Sequence, residues 1–289
     1  MKKYMALPIA ALALASVALT GCSDSTQTAA NGVSNNAIDL KTTYVASHKY
    51  LTESTYHSDM DVTMSVNSTS TDAQSKALAD TLSQMKVSAT SDADLQAKKI
   101  QMNIKASMPA NQGMPSYEIP ALMDYNAGKM YMRMDKFPGL ETLPSVQGKL
   151  VVTDTSKDAL YDLALYEGID GKLFHSEQLT DDDKKAGAQK KISVELDSAL
   201  AQKIYAEYKG QTSGPIADTQ LPTIKNGKIF TLLNDKDQTI RDDIQMTIVM
   251  NNTDVNYLIK SSYSKIGEPV TFTIDPSKEP TVNLTDIGQ

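Results

Sequence analysis

The feature that most restricts the fold of this chain is an alternation of apolar and polar residues that recurs in several separate segments. In residues 60–66, methionine and valine alternate with acidic and hydroxyl-bearing residues. Residues 100–106 and 244–250 follow a similar pattern. Because successive side chains of a β-strand point to opposite faces of its sheet, each segment predicts a strand with one apolar and one polar face.

Other segments extend the predicted sheet on both sides of a central region. Turn residues at 126–129 and 234–238 predict two hairpins. With roughly eight to ten strands joined mostly by short turns, the pattern predicts an antiparallel meander. The predicted strands are residues 60–67, 87–89, 100–106, 122–125, 130–134, 228–233, 239–250, 255–263 and 270–274.

Helices are predicted before the first strand and in the centre of the chain. In residues 38–54, five side chains that include Tyr44 and His48 fall on one face at three- and four-residue steps. We interpret His48 on this face as a packed side chain rather than a metal ligand. The other predicted helical segments are residues 72–84, 156–167, 181–185 and 196–209.

The apolar face of such a sheet must be covered, and the predicted helices are the available cover. We therefore predict an α+β fold: a strongly curved antiparallel sheet, or unclosed half-barrel, with helices covering its concave face. One domain spans residues 38–289 and includes a helical central insertion at about residues 138–215. Between sheet and helices, either a cavity or a fully packed core is compatible with the sequence.

Methionine is the unusual apolar residue of this chain, which has 14 Met, 4 Phe and no Trp. Flexible thioether side chains suit both irregular cores and adaptable binding surfaces, so both interpretations stay open. Most of the clustered methionines lie on the apolar faces of predicted strands, where they would face any cavity. The candidate cavity residues are Met60, Met64, Met102, Met132, Met246, Ile248 and Met250.

The first residues have the layout of an export signal. Lys2 and Lys3 precede an apolar run at residues 5–19, and small residues precede Cys22, the only cysteine. The apolar run is about 15 residues long, whereas a helix needs about 20 to span a bilayer. We predict a signal peptide at residues 1–21. A transmembrane helix and an ordinary secretory signal are the alternatives.

The sequence Leu-Thr-Gly-Cys at residues 19–22 resembles the lipobox of bacterial lipoproteins. The resemblance implies that the signal is cut before Cys22 and that the thiol receives a diacylglycerol, often with a further acyl chain on the amine. Several acyl chains anchor a protein stably, whereas a single chain does so only marginally. Residues 22–37 consist of the lipidated cysteine and a run of small, polar residues, and this composition predicts a flexible tether.

Charge and motif content argue against several functions. The chain has 28 Lys and Arg against 35 Asp and Glu, which disfavours nucleic acid and anionic lipid surfaces as partners. His48, His57 and His175 lack the spacing of a zinc site. The sequence contains neither a Gly-x-Ser-x-Gly elbow nor a glycine-rich phosphate loop. We therefore predict no enzyme activity, no metal and no cofactor.

Four features in order resemble the unclosed-barrel lipoprotein superfamily of LolA, LolB and the LppX/LprG lipoproteins, together with related uncharacterised surface lipoproteins. They are the lipobox with its tether, an amphipathic helix leading into residues 56–64, a strand meander, and the closing residues 263–274. Members of this superfamily carry lipids, lipoproteins or other amphiphiles between sheet and helices. The likeness spans about residues 38–276, and the central insertion is hard to align.

This resemblance implies a membrane-anchored lipoprotein that binds a lipid or other amphiphile non-covalently. The alternative is a structural or protein-interaction module of the cell envelope with the same fold and no ligand cavity. The expected location is outside the cytoplasm. In a Gram-negative host this is the outer membrane, because Ser23 replaces the Asp that resembles an inner-membrane retention mark. In a Gram-positive host it is the outer face of the cytoplasmic membrane.

Overall fold

A 12-stranded sheet dominates the structure. The computed structural model describes residues 35–67, 83–107, 116–135, 137, 139–140, 142–155, 166–200, 223–250 and 253–287. The strands are β1 (Thr55–Asn67), β2 (Lys86–Asp94), β3 (Lys99–Ser107), β4 (Tyr117–Asp124), β5 (Lys129–Met132), β6 (Leu150–Asp154), β7 (Phe174–Ser176), β8 (Lys190–Asp197), β9 (Thr223–Leu233), β10 (Thr239–Met250), β11 (Thr253–Ser264) and β12 (Thr281–Asn283).

The strands follow the order β12-β6-β5-β4-β3-β2-β1-β11-β10-β9-β8-β7 across the sheet. Neighbouring strands are antiparallel, except that β12 runs parallel to β6. The two end strands, β12 and β7, are not hydrogen-bonded to each other, so the sheet is unclosed. The predicted antiparallel meander is confirmed, and the architecture is consistent with an open half-barrel.

The predicted alternation in β1 is confirmed by burial. Met60, Val62 and Met64 are buried, whereas Asp61 and Thr63 are exposed. The inward side chains of β1, β2, β3 and β8–β11 join one hydrophobic cluster. The sheet thus has an apolar face that forms the core and an opposite face that is largely polar.

Helix α1 (Asn35–Thr52) packs against the apolar face. Tyr44 is fully buried, and His48 and Leu51 are nearly so. The helix contacts β1, β7, β10 and a short 3-10 helix at Gly171–Leu173. The helix predicted at 38–54 is confirmed, although it begins at Asn35, inside the predicted tether.

Several predictions fall outside the described residues. Residues 1–34 contain the predicted signal peptide, Cys22 and most of the tether. Residues 68–82, 156–165 and 201–222 contain most of three predicted helices. The helical cover that we predicted beyond α1 therefore stays a prediction. No helix within the described ranges is long and apolar enough to cross a membrane.

The described part of the central region adds strands to the helical insertion that we predicted at about 138–215. Strands β6, β7 and β8 lie there, beside the short helix α2 (Asp181–Lys185), which confirms the predicted helical charge run. Residues 196–197 end β8 and residues 198–200 are helical, so the helix that we predicted from residue 196 begins two residues later. Their strand has an alternating burial pattern, because Ile192, Val194 and Leu196 face the core.

The segment at 270–274 also differs from the prediction of a last strand. It has irregular backbone, and the last strand is instead β12. Its amide groups bond to a side chain rather than to a strand: Gln101 Oε1 accepts hydrogen bonds from the backbone N–H of Thr273, over 2.6 Å, and of Ile274, over 2.9 Å. A segment bonded in this way lies across the sheet without joining its ladder.

Candidate functional site

Three of the seven candidate cavity residues lie in the closed part of the core. Met60, Met64 and Ile248 are 6%, 2% and 1% exposed. They belong to one cluster with Tyr44 of α1. In this region methionine acts as core packing, and a ligand would reach these side chains only by displacing part of the cluster.

The other candidates are less enclosed. Met246 is half-buried at the margin of the main cluster. Met102 packs at the margin of a second cluster and Met132 at the margin of a third. Met250 ends β10, and its side chain lies outside the described residues. The structure therefore does not bring the seven residues into one site, and their role as a cavity lining stays a prediction.

A strip of half-buried apolar side chains runs across β3 and β5. It consists of Met102, Ile104, Met130 and Met132, and we call it the methionine strip. Met102 and Met132 both lie opposite Ala121 of β4, on either side of it, so the small alanine separates the two thioethers. The main contacts of α1 are with β1, β7 and β10, on the other part of the apolar face.

A buried polar network occupies the junction between α1 and the sheet. Asp242 of β10 accepts hydrogen bonds from the hydroxyl groups of Thr231 and Tyr263, the latter over 2.9 Å. His48 Nε2 lies 3.3 Å from the same carboxylate, and His48 Nδ1 lies 2.9 Å from the backbone oxygen of Tyr44. Three strands and the helix thus converge on one carboxylate that is 2% exposed.

Electrostatics within this network favour a charged pair. Burial alone would lower the pKa of His48, but attraction to Asp242 and hydrogen bonds to Asp242 and Tyr44 outweigh it, and the pKa is raised. Burial and the negative charge of Asp242 raise the pKa of Tyr263 well above its ordinary value. The network therefore contains a protonated histidine at mildly acidic pH and neutral tyrosines.

The network resembles a catalytic triad only superficially. Ser47 Oγ lies 3.4 Å from His48 Nδ1, but it donates a hydrogen bond to the backbone oxygen of Tyr44 over 2.8 Å. Ser47, His48 and Asp242 are each at most 3% exposed. Nucleophilic catalysis requires a nucleophile that a substrate can reach. This arrangement is better suited to fixing α1 on the sheet.

Sequence reasoning found the burial of His48 but missed its partner. His48 and Asp242 are 194 positions apart, and only the fold brings them together. The partner of a second histidine was missed in the same way. His57 Nδ1 lies 2.8 Å from Asp92 Oδ1 on the neighbouring strand. Within the residues that the structure describes, no group of three or more His, Cys, Asp or Glu side chains could hold a metal ion.

A second charged cluster fixes α2 to the sheet. Asp183 accepts hydrogen bonds from Arg241 over 2.6 Å and from Lys191 over 2.9 Å. Burial would raise the pKa of Asp183, but Lys191 and hydrogen bonds from Thr180 lower it well below its usual range. The cluster explains how a helix of five residues keeps its position.

Comparisons with known proteins give only remote similarity. No protein-family model matches the sequence, and no curated protein matches it. A β-barrel-like protein of the domain of unknown function DUF1849 from Brucella abortus is 10% identical, with 73% of this chain and 98% of that chain covered and a TM-score of 0.28. A DUF1329 family protein from Desulfovibrio piger is 12% identical, with coverages of 82% and 94% and a TM-score of 0.27.

Proposed function

We propose that this protein is a membrane-anchored lipoprotein that binds a lipid or other amphiphile, without covalent chemistry, between the apolar face of its sheet and its helices. The observation that supports the proposal is the methionine strip. Its apolar side chains are half-buried and lie away from the main contacts of α1. Flexible, polarisable side chains of this kind can adjust to an acyl chain.

The anchor in this proposal is the lipidated Cys22, which the lipobox resemblance implies. Acyl chains contribute about 0.8 kcal/mol per buried methylene, so a diacylglycerol holds the protein stably at a membrane. The proposed location is the cell envelope, outside the cytoplasm. Cys22→Ser should move the protein from the membrane pellet to the supernatant of a cell fractionation, and a variant that still pellets would contradict the anchor.

Lipid uptake is tested with the purified, delipidated protein. We expect a fluorescent fatty acid to bind saturably, and mass spectrometry of undelipidated protein to find copurified lipid. The double variant Met102→Gln/Met132→Gln should weaken fatty-acid binding by about tenfold or more, because it places amides along the acyl path. Met64→Leu, in the closed core, is the matched control and should bind normally. Absence of both uptake and copurified lipid would contradict the proposal.

A second candidate function is an envelope module that contacts other proteins and has no ligand cavity. Its supporting observation is the closed packing of Met60, Met64 and Ile248 against α1. If that packing extends over the whole apolar face, a bound lipid has no room. Failure of fatty-acid uptake together with an unchanged, well-packed core in the methionine-strip variants would favour this module.

A further inference from the structure

A long depression crosses the polar face of the sheet, on the side opposite the methionine strip. It consists of two adjoining parts of about 770 Å³ and about 1170 Å³, which share Thr63 and Leu258. A twisted sheet is saddle-shaped, so its outer face can be concave along one diagonal. The depression runs from β4 to β8, about 34 Å at the usual strand spacing. We call it the polar trough.

Strand register arranges the side chains of one part of the polar trough in two rows. The first row, from β1 to β8, is Thr63, Leu258, Gln245, Lys228 and Glu195. The second row is Ser65, Asn256, Thr247, Asn226 and Asp197. Both rows alternate with core positions along their strands, so these side chains point away from the core.

Charge is balanced along the polar trough. Its described lining contains four lysines and four acidic residues: Lys86, Lys105, Lys228 and Lys260, and Asp61, Glu118, Glu195 and Asp197. Several of them neutralise one another, since Lys228 Nζ lies 3.7 Å from Glu195 and Lys105 Nζ lies 3.7 Å from Glu118. A surface without excess charge does not attract a polyanion or a polycation.

The polar trough combines exposed hydrogen-bonding side chains with an apolar lining that includes Leu173, Leu196, Met246 and Tyr257. The side chains of Asn226, Gln245, Thr63 and Ser65 are exposed and make no hydrogen bond to another group within the described part of the chain. Each amide offers two N–H donors and a carbonyl acceptor, and each hydroxyl offers one donor and two lone pairs. Leu258, in the middle of the polar trough, provides an apolar patch beside them.

The fold limits which polymer can use these groups. The central strands β1, β9, β10 and β11 are hydrogen-bonded on both sides, so an extended peptide would find no free backbone partners of the kind a sheet edge offers. An acyl chain would bury the amides and hydroxyls without satisfying them. A sugar chain has hydroxyls that bond such groups, and C–H faces that pack against a leucine.

We propose that the polar trough binds a neutral glycan chain. The site is independent of the lipid proposal, because its two rows of side chains lie on the opposite face of the sheet from the methionine strip and share no residue with it. A protein with both sites would hold a lipid on one face of its sheet and a neutral polysaccharide on the other.

Calorimetric titration of the full mature chain tests this inference. The probes are hexasaccharides of β-1,4-linked N-acetylglucosamine, β-1,4-linked glucose and α-1,4-linked glucose. We expect at least one probe to bind saturably, and Asn226→Ala/Gln245→Ala to weaken it by about tenfold, since two hydrogen bonds are lost. Gln178→Ala/Gln189→Ala is the matched control, because both side chains are exposed at the opposite end of β8, and it should bind like the parent.

Two results would overturn the inference: no binding of any hexasaccharide, or equal binding by the parent and the Asn226→Ala/Gln245→Ala variant. Preferential binding of an extended peptide or a charged polymer would overturn it as well. Fatty-acid uptake is measured on the same variants. It should be unchanged in Asn226→Ala/Gln245→Ala, so failure of the glycan site and failure of the lipid site give different results.

Discussion

The apolar face follows one strand pattern throughout, but its side chains are not buried evenly. In the half formed by β1 and β7–β11, α1 places Tyr44 and His48 on the sheet, and Met64 and Ile248 are almost completely buried. In the half formed by β2–β6, the methionine strip is only half-buried, although other inward side chains there, such as Ala93 and Val151, are buried. Alternation within a strand therefore decides which face is apolar, whereas the packing above each position decides how completely it is sealed, and it is sealed most evenly beneath α1.

The sealed half also contains the buried polar network around Asp242, which the other half lacks among its described residues. A buried carboxylate is tolerated only when its partners satisfy it, so the network favours one placement of α1. The methionine strip has no comparable constraint, since thioether side chains adapt to different neighbours. The sealed half is therefore expected to be rigid and the methionine strip to be adaptable.

The largest effect is expected from Asp242→Ala in the sealed half. The substitution removes the acceptor shared by Thr231 and Tyr263 and the anionic partner of His48. Removing one partner of a buried charged pair typically costs about 3–5 kcal/mol, and we expect a loss of this size in the free energy of unfolding from urea titration.

Asp154→Ala, in the other half, is the control for this prediction. Asp154 pairs with Lys129, but its side chain is 69% exposed. Exposed pairs contribute about 0–1 kcal/mol, so the loss should stay below about 1 kcal/mol. Similar small losses for both variants would mean that the network does not hold the sealed half together.

Truncation of one methionine in each half gives the next largest effect. Met64 is 2% exposed, and Met64→Ala should cost about 2–5 kcal/mol, because a cavity remains. Met102 is half-buried, so Met102→Ala should cost less than about half as much. Equal losses in urea titration would show that the methionine strip is sealed as well, which would weaken the lipid proposal.

Much of the fold could be predicted, because the spacing of apolar residues along the chain indicates most of the strands and the first helix. The alternating residues of β1, β3 and β10 and the helical spacing of α1 appear in the sequence as they do in the structure. Strand β6 was missed because Leu150, Val151 and Val152 are all buried, so the strand has no alternation to detect. A strand covered on both faces reads as a short apolar run, which sequence periodicity cannot separate from a buried helix.

The site was less predictable than the fold, since it depends on register. The pairing of His48 with Asp242, and the rows of the polar trough, join residues from distant strands. The sequence analysis treated the candidate cavity methionines as one set, but the structure divides them between a sealed core and a half-buried strip. That division follows from the position of α1, which no strand pattern encodes.

The pH dependence of stability should reveal the charged pair in the sealed half. The pKa of His48 is raised in the folded protein above its ordinary value of about 6.5, so protonation stabilises the fold. This contribution is fully present below about pH 6.5 and is lost as the pH rises through the folded-state pKa. We expect the free energy of unfolding to decrease above about pH 6.5, by about 1.4 kcal/mol for each unit of pKa shift.

His48→Gln is the control, because glutamine cannot take up the proton. The measurement is urea titration between about pH 6 and pH 9, below the range in which tyrosines ionise. The decrease should be present in the parent and absent in the variant. Parallel curves for the two proteins would show that His48 does not titrate in this range, and that the sealed half is held by packing alone.

The smallest effect is expected at the segment 270–274, which crosses the polar side of β3. Gln101→Ala removes the acceptor for the amides of Thr273 and Ile274. One hydrogen bond contributes about 0.5–1.5 kcal/mol, so hydrogen exchange at these two amides should accelerate by about tenfold, with global stability changed by about 1 kcal/mol. Gln96→Ala, at an exposed bond to Glu53, is the control and should leave both amides protected.

The outcome at these two amides distinguishes two reasons for the missed prediction of a last strand. Ile274 is 3% exposed and packs with Leu122 and Leu150 on the side of the sheet away from the main core. If exchange accelerates, Gln101 replaces a strand partner for this segment. If the amides stay protected, burial of Ile274 alone holds the segment in place. The alternating residues at 270–274 are then explained by packing of the segment across the sheet rather than by a strand.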